Sequence, residues 1–165
     1  MSSAPEYVHE RIFEAPRSLV WRAWTDPEIL ARWYGPGVET IIHEFDLRPG
    51  GVWRNEMKWG EKSDLSKMSF TEVVPEEKIV WHHSSTDADW EVISNPMMAD
   101  WPRVLLATVI FEDAGAGTKV RLTMTPVDAS EAELACFAGA MAGMDGGWGK
   151  GFEVMAEVLV ELADV

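Results

Sequence analysis

Apolar and polar residues alternate along much of this chain, and where the alternation stops a helical spacing takes over. From Tyr7 to Glu14, Val8 and Ile12 fall on one side and Tyr7, His9, Arg11 and Phe13 on the other. That predicts a strand polar enough for a sheet edge. Pro16 suits the first turn of a helix, where its missing N–H is no loss, and Leu19, Val20, Ala23 and Trp24 follow at helical spacing. Asp26-Pro27 then caps and begins a second helix with Ile29, Leu30 and Trp33 as its apolar face, stopped by Gly35-Pro36-Gly37.

Strands follow, separated by turn signals. Ile41, His43, Phe45 and Leu47 share one face of the first, with Glu44 and Asp46 opposite, and Pro49-Gly50-Gly51 turns the chain. Trp53, Asn55, Met57 and Trp59 share a face of the next, with Arg54, Glu56 and Lys58 opposite. The polar run Gly60 to Ser66 reads as a loop. Lys67 to Val74 is a third strand, closed by Pro75-Glu76-Glu77, and Lys78 to His83 a fourth that places Ile79, Trp81 and His83 together. Ser84 to Pro102 is irregular yet carries Trp90, Ile93, Met97, Met98 and Trp101, too apolar for a free linker, so it is expected to fold over something. Two more strands, Val104 to Glu112 and Lys119 to Thr125, flank the turn Gly115 to Gly117.

Ser130 with Glu133 forms a capping box that starts a long final helix, running to Leu162. Its apolar stripe is Leu134, Ala138, Met141, Trp148, Phe152, Met155, Leu159 and Leu162, with Glu153, Glu157 and Glu161 on the solvated side. Gly143, Gly146, Gly147, Gly149 and Gly151 interrupt it, each costing about 0.5–1 kcal/mol relative to Ala. Such a patch either lets a sheet approach closely or leaves a hole. The order β-αα-β strands-α predicts an α+β fold: a curved antiparallel sheet, two short helices after the first strand, and one long C-terminal helix covering the inner face. Residues 1–165 read as one domain.

Composition narrows the function classes. The 165 residues are 47% hydrophobic and 25% charged, with nine tryptophans and two tyrosines, a ring content that makes an apolar cavity worth testing. A net charge of −14 repels phosphate backbones and anionic surfaces, arguing against nucleic acid. The opening MSSAPEYVHE lacks a basic start and an apolar core, and no apolar run approaches the roughly 20 residues of a membrane span. The expected location is cytoplasmic, with no membrane insertion. One cysteine, Cys136, excludes an internal disulfide and a multi-cysteine metal site, and reads as a small buried hydrophobe.

The element order and its motifs resemble the START-like (SRPBCC) superfamily with its helix-grip fold. The resemblance is carried by Phe13-Glu14-Ala15-Pro16, Val20-Trp21-Arg22-Ala23-Trp24-Thr25-Asp26-Pro27, Leu30-Ala31-Arg32-Trp33-Tyr34-Gly35-Pro36 and Asp46-Leu47-Arg48-Pro49-Gly50-Gly51. Glu72-Val73-Val74-Pro75-Glu76-Glu77-Lys78-Ile79, Thr108-Val109-Ile110-Phe111-Glu112 and Gly147-Trp148 continue it. Within the superfamily the chain is most similar to the family named after activators of the heat-shock-protein-90 ATPase. The resemblance implies a curved sheet gripping the C-terminal helix around an elongated apolar cavity. Family members bind lipids, polyketides, plant hormones or other hydrophobic molecules, and a few catalyse cyclisation or hydrolysis.

On that basis Trp53, Asn55, Met57, Trp59, Trp81, His83, Met141, Trp148, Phe152 and Met155 are the candidate ligand-binding residues. The same side chains would serve equally as plain core. His82 and His83 point to opposite faces of a strand and so cannot share a metal, whereas His83 and His43 are expected on the inner face, as a general base or as hydrogen-bonded core. Asn55 and Glu72 are further polar candidates, the face of Glu72 being undecided between a Met68/Phe70 side and a Val73 side. No metal motif, cofactor motif or complete catalytic motif is present. Gly147-Trp148-Gly149-Lys150-Gly151 fails as a phosphate loop, because Met144 and Gly151 occupy positions that need Gly and Ser or Thr. The favoured reading is a binder of a small hydrophobic, lipid- or polyketide-like molecule. Its alternatives are a cyclase- or hydrolase-type enzyme using the same cavity, and an interaction module acting as chaperone partner or homodimer.

Overall fold

A computed structural model describes residues 5–163. Its elements are β1 (Tyr7–Phe13), α1 (Arg17–Thr25), α2 (Pro27–Trp33), β2 (Glu39–Phe45), β3 (Val52–Trp59), β4 (Lys62–Val74), β5 (Lys78–Ser85), β6 (Leu105–Ala114), β7 (Gly117–Pro126) and α3 (Glu131–Ala163). The strands form one antiparallel sheet in the order β1-β7-β6-β5-β4-β3-β2, so β1 is an edge. The fold is the helix grip expected from the element order.

Local chemistry explains most boundaries. The Asp26 carboxylate accepts from the Glu28 N–H at 3.1 Å with Pro27 at the first helical position. Ser130 and Glu133 exchange their capping hydrogen bonds at 2.9 and 3.1 Å. Between β2 and β3 only glycine fits at Gly51, since a Cβ there would run into the Asp46 carbonyl oxygen.

Three sequence expectations are corrected. Gly60 to Ser66 is not a loop: Gly60, at φ +61°, and Glu61 make a two-residue turn, and β4 pairs with β3 from Lys62 onward. Its polar composition reflects one exposed face and one cavity-facing side. His43 is not on the inner face. A bulge between Ile42 and Glu44 puts Ile42 and Phe45 inside together and turns His43 outward, where it bonds Glu56 at 2.8 Å and meets the Trp90 ring. Ala138 is exposed, because the first turns of α3 bury Phe137 instead. A second bulge, between Phe70 and Glu72, resolves the face of β4: Met68, Phe70 and Val73 all pack inward, while Glu72 faces out to Lys78 at 3.3 Å. Cys136 is a free thiol and half-buried.

The core is aromatic. Trp24 sits at its centre, with ring centroids 4.7 Å from Trp33, 6.2 Å from Trp81 and 6.1 Å from Phe152. Offset and edge-to-face contacts of this kind add about 0.5–1.5 kcal/mol per pair beyond area burial. Helix α3 rests on α1, α2, β1 and β7. Its C-terminal half buries Phe152, Met155, Val158 and Leu159 there. Trp53 of β3, Met68 and Phe70 of β4 and Trp81 of β5 are buried as well, and it is the ends of these strands carrying Met57, Asp64, Ser66, His83 and Ser85 that are left uncovered by this packing.

Candidate ligand-binding site

That uncovered space is a cavity of about 650 Å³. Sheet, α3 and the segment between β5 and β6 all contribute walls. The helix wall is built from Gly139, Ala140, Gly143, Met144, Gly147, Trp148 and Gly151. Glycines at a spacing of four stand one above another on a helix face. A Cβ added at Gly139, Gly143 or Gly147 would meet nothing within 4 Å, so the glycines leave a hole and do not mediate close packing. These three are also solvent-exposed, which means the cavity is open to water along this side. Gly151 differs: it is buried, and a Cβ there would lie 3.4 Å from the Trp33 carbonyl oxygen.

The sheet floor is polar at one end. Met57 and Asp64 are cross-strand partners, as are Ser66 and Ser85, and Met68 and His83. Strand alternation places Asp64 and Ser66 on the face that buries Met68 and Phe70 further along. Burial pushes the Asp64 carboxyl above the usual carboxylate range. Burial also drives the His83 imidazole down to about 4, so the ring is neutral at physiological pH, and its Nδ1 is sealed from water with no partner among the described residues. Tyr34, at the end of α2, has its hydroxyl pKa raised by burial and secondarily by the Asp64 charge.

The long β5–β6 connection folds over the site, as its apolar content predicts. Asn95 accepts from the Met97 and Met98 N–H groups at 2.8 and 3.2 Å and donates to the Ser85 hydroxyl at 3.4 Å. Asn95, Met98 and Trp101 thus reach the cavity, and Trp101 packs on Phe137 at 5.6 Å.

The ten candidate residues divide by depth. Met57, His83 and Trp148 line the cavity. Trp148 also stacks on Trp24 at 6.3 Å and meets Tyr34 edge-on at 5.7 Å, so it is wall and core at once. Trp53, Asn55, Trp81, Phe152 and Met155 are buried away from the cavity surface. Asn55 is only 1% exposed and accepts the Trp53 indole N–H at 3.2 Å. Trp59 and Met141 are half-buried and do not line the space. Sequence reading missed Asp64, Ser66, Ser85, Asn95 and the fourfold glycine spacing beginning at Gly139. The signals existed: Asp64 and Ser66 continue the alternation of Met68 and Phe70, and the glycine period is that of a helix face.

The sequence model of the family described as "Activator of Hsp90 ATPase homolog 1-like protein" matches residues 14–160. A search of curated proteins returns no match. Among solved structures, the chain is similar to a protein from Arthrobacter aurescens at 22% identity and TM-score 0.79, over 96% of this chain and 87% of that one. A protein from Nitrosomonas europaea is similar at 22% identity and TM-score 0.75, over 100% of each chain. A protein of the dynemicin biosynthetic locus is similar at 16% identity and TM-score 0.65, over 93% of this chain and 46% of that one. At these identities the likeness is one of fold.

Proposed function

The chain belongs to the family of Activator of Hsp90 ATPase homolog 1-like proteins, and from that premise we propose that it binds a small hydrophobic molecule between the curved sheet and α3. The observation that carries this reading is the cavity of about 650 Å³, of the size that holds a drug-sized ligand. It is kept open by glycines whose Cβ positions are empty. Evolving a core would favour filling such positions, since each Gly weakens the helix by about 0.5–1 kcal/mol. Apolar walls from Trp33, Met57, Met98, Trp101 and Trp148 supply the driving force for an apolar occupant.

Binding is better supported than catalysis through His83. An imidazole held down to about 4 is a weak general base at neutral pH, and among the described residues its Nδ1 has no carboxylate to orient it. The test is native mass spectrometry of the purified protein after incubation with a lipid and metabolite extract. A retained small molecule is expected, and it is expected to be lost in Gly143→Leu/Gly147→Leu, which fills the space. No retained mass, or undiminished retention by the filled variant, refutes the proposal.

A further inference from the structure

The middle of α3 is weakly held by its own packing. Phe137 before it and Gly151 and Phe152 after it are buried, but no residue from 138 to 150 is, and Met141, Met144 and Trp148 are only half-buried. Five glycines fall in the same stretch, and each weakens a helix relative to Ala. Few buried contacts and a poor helix former mark a segment that opens locally before the rest. Among the described residues, Asp145 is the one side chain of this stretch with a hydrogen bond to another element. Its Oδ1 accepts from the Tyr7 hydroxyl at 3.2 Å and lies 2.9 Å from His9 Nδ1, both on β1. The His9 ring also meets Phe152 edge-on at 4.9 Å, and a Cβ at Gly149 would lie 3.7 Å from His9 Cε1. Asp145, Gly149 and Phe152 share one side of the helix, so His9 spans two of its turns.

The contact is half sheltered. Tyr7 is 3% exposed and the His9 side chain 15%, against 62% for Asp145. The groups facing His9 are Asp145 from α3, Tyr7 and Arg11 from the same face of β1, and the apolar Leu122 opposite it on β7. Arg11 sets its guanidinium over the Phe13 ring at 5.4 Å, and Glu10, Lys119 and Arg121 pair on the other face of the sheet. Hydrogen bonds from His9 first and Tyr7 second hold the Asp145 carboxyl below the usual carboxylate range. Burial, and after it the Asp145 charge, raises the Tyr7 hydroxyl, which therefore stays a donor. A protonated imidazole bonds a carboxylate about twice as strongly as a neutral one, so the hold on Asp145 follows the proton on His9.

From this cluster we infer that Tyr7, His9 and Asp145 form a protonation-sensitive latch holding the glycine-rich middle of α3 to β1, closed most firmly when His9 is protonated and Asp145 ionised. The same stretch supplies the helix wall of the cavity through Gly139, Gly143, Met144, Gly147 and Trp148, so opening the latch loosens that wall. The latch is a property of the fold and stands whatever fills the cavity.

The experiment is amide hydrogen exchange of the full chain by NMR between about pH 5 and about pH 8, as protection relative to the unstructured rate, with the His9 ring signals followed in the same samples. Amides of residues 141–149 are expected to lose protection by about threefold or more as pH rises, with the midpoint of the His9 ring. Asp145→Asn and His9→Gln are expected to lower protection there by at least about threefold at the acid end and to abolish its pH dependence, leaving residues 152–159 within about twofold. Tyr7→Phe is expected to lower protection but keep the pH dependence, since the His9 contact remains. Protection independent of pH in the wild type, or a pH dependence that survives Asp145→Asn, overturns the inference. So does an equal loss along the whole of α3, which would make the cluster a contributor to global stability alone. Should His9→Gln or Tyr7→Phe fail to fold, the wild type and Asp145→Asn decide between these outcomes.

Discussion

Replacing the open glycines of α3 is expected to stabilise the protein while damaging its site. Gly139, Gly143 and Gly147 lie inside α3, are exposed, and would present a Cβ to empty space. Among the described residues nothing opposes a methyl group there. Each Gly→Ala change gains about 0.5–1 kcal/mol, chiefly by restricting the unfolded chain. The triple variant Gly139→Ala/Gly143→Ala/Gly147→Ala should therefore gain roughly 2 kcal/mol, raising Tm by roughly 4–8 °C for a protein of this size. Gly151→Ala is the internal control. Its Cβ would press on the Trp33 carbonyl oxygen at 3.4 Å and approach the Pro36 ring at 3.8 Å, so its gain should be cancelled or reversed. Urea unfolding followed by circular dichroism measures the stability, and pyrene titration measures the site, where the added methyls should weaken binding. A triple variant less stable than wild type would refute the reasoning, because it would mean the glycines are needed for packing. Greater stabilisation from Gly151→Ala than from the other sites would refute it equally.

Three further outcomes are expected. Trp148→Ala should lower stability by about 1–3 kcal/mol, less than a fully buried tryptophan because the ring is half-exposed, and should weaken pyrene binding together with it; a variant that loses only one of the two, read by urea unfolding and titration, contradicts the double role. Asn55→Leu should cost about 1–3 kcal/mol in the same unfolding assay, because it strands the buried Trp53 indole N–H, and an unchanged midpoint would contradict the hydrogen bond. His83, lowered by burial from an ordinary 6.5 to about 4, stays neutral in the folded state while the unfolded chain takes up a proton; stability from this group is therefore full above about pH 6.5 and falls as pH drops toward about 4. The His83 ring signals in an NMR titration should stay neutral through pH 6, and a midpoint near 6.5 would show the ring to be solvated.

How much was legible in the sequence followed from how local each signal is. Asp26-Pro27, Ser130 with Glu133, and Gly51 act within a few residues, and each performs the structural role expected of it. Strand alternation located the inner faces of β3, β5, β6 and β7 correctly, including Trp53, Asn55, Ile79, Trp81 and Leu122. It failed in β2 and was undecided in β4 for one reason. A bulge adds a residue without changing the composition, and every side chain beyond it changes face, as His43 and Glu72 did. The polar run after Gly60 was mistaken for a loop because solvent and a cavity floor ask for the same residue types.

The chain's periodicity, caps and turns determined by themselves the order of elements and hence an antiparallel sheet covered by one long C-terminal helix, since those depend on neighbours along the chain; the helix-grip name came from the family resemblance of its motifs. They also supplied the apolar and aromatic content that the core and the site share. Only the tertiary structure decided which of those residues became cavity wall. Helix α3 seats its C-terminal half on α1, α2, β1 and β7, and the curvature of the sheet carries β3, β4 and β5 away from its glycine face. The distance between two surfaces far apart in sequence is set by what lies elsewhere between them. For that reason Trp81 became core, Trp148 became core and wall together, and Asp64, unremarkable in the sequence, came to line the same cavity as Trp148.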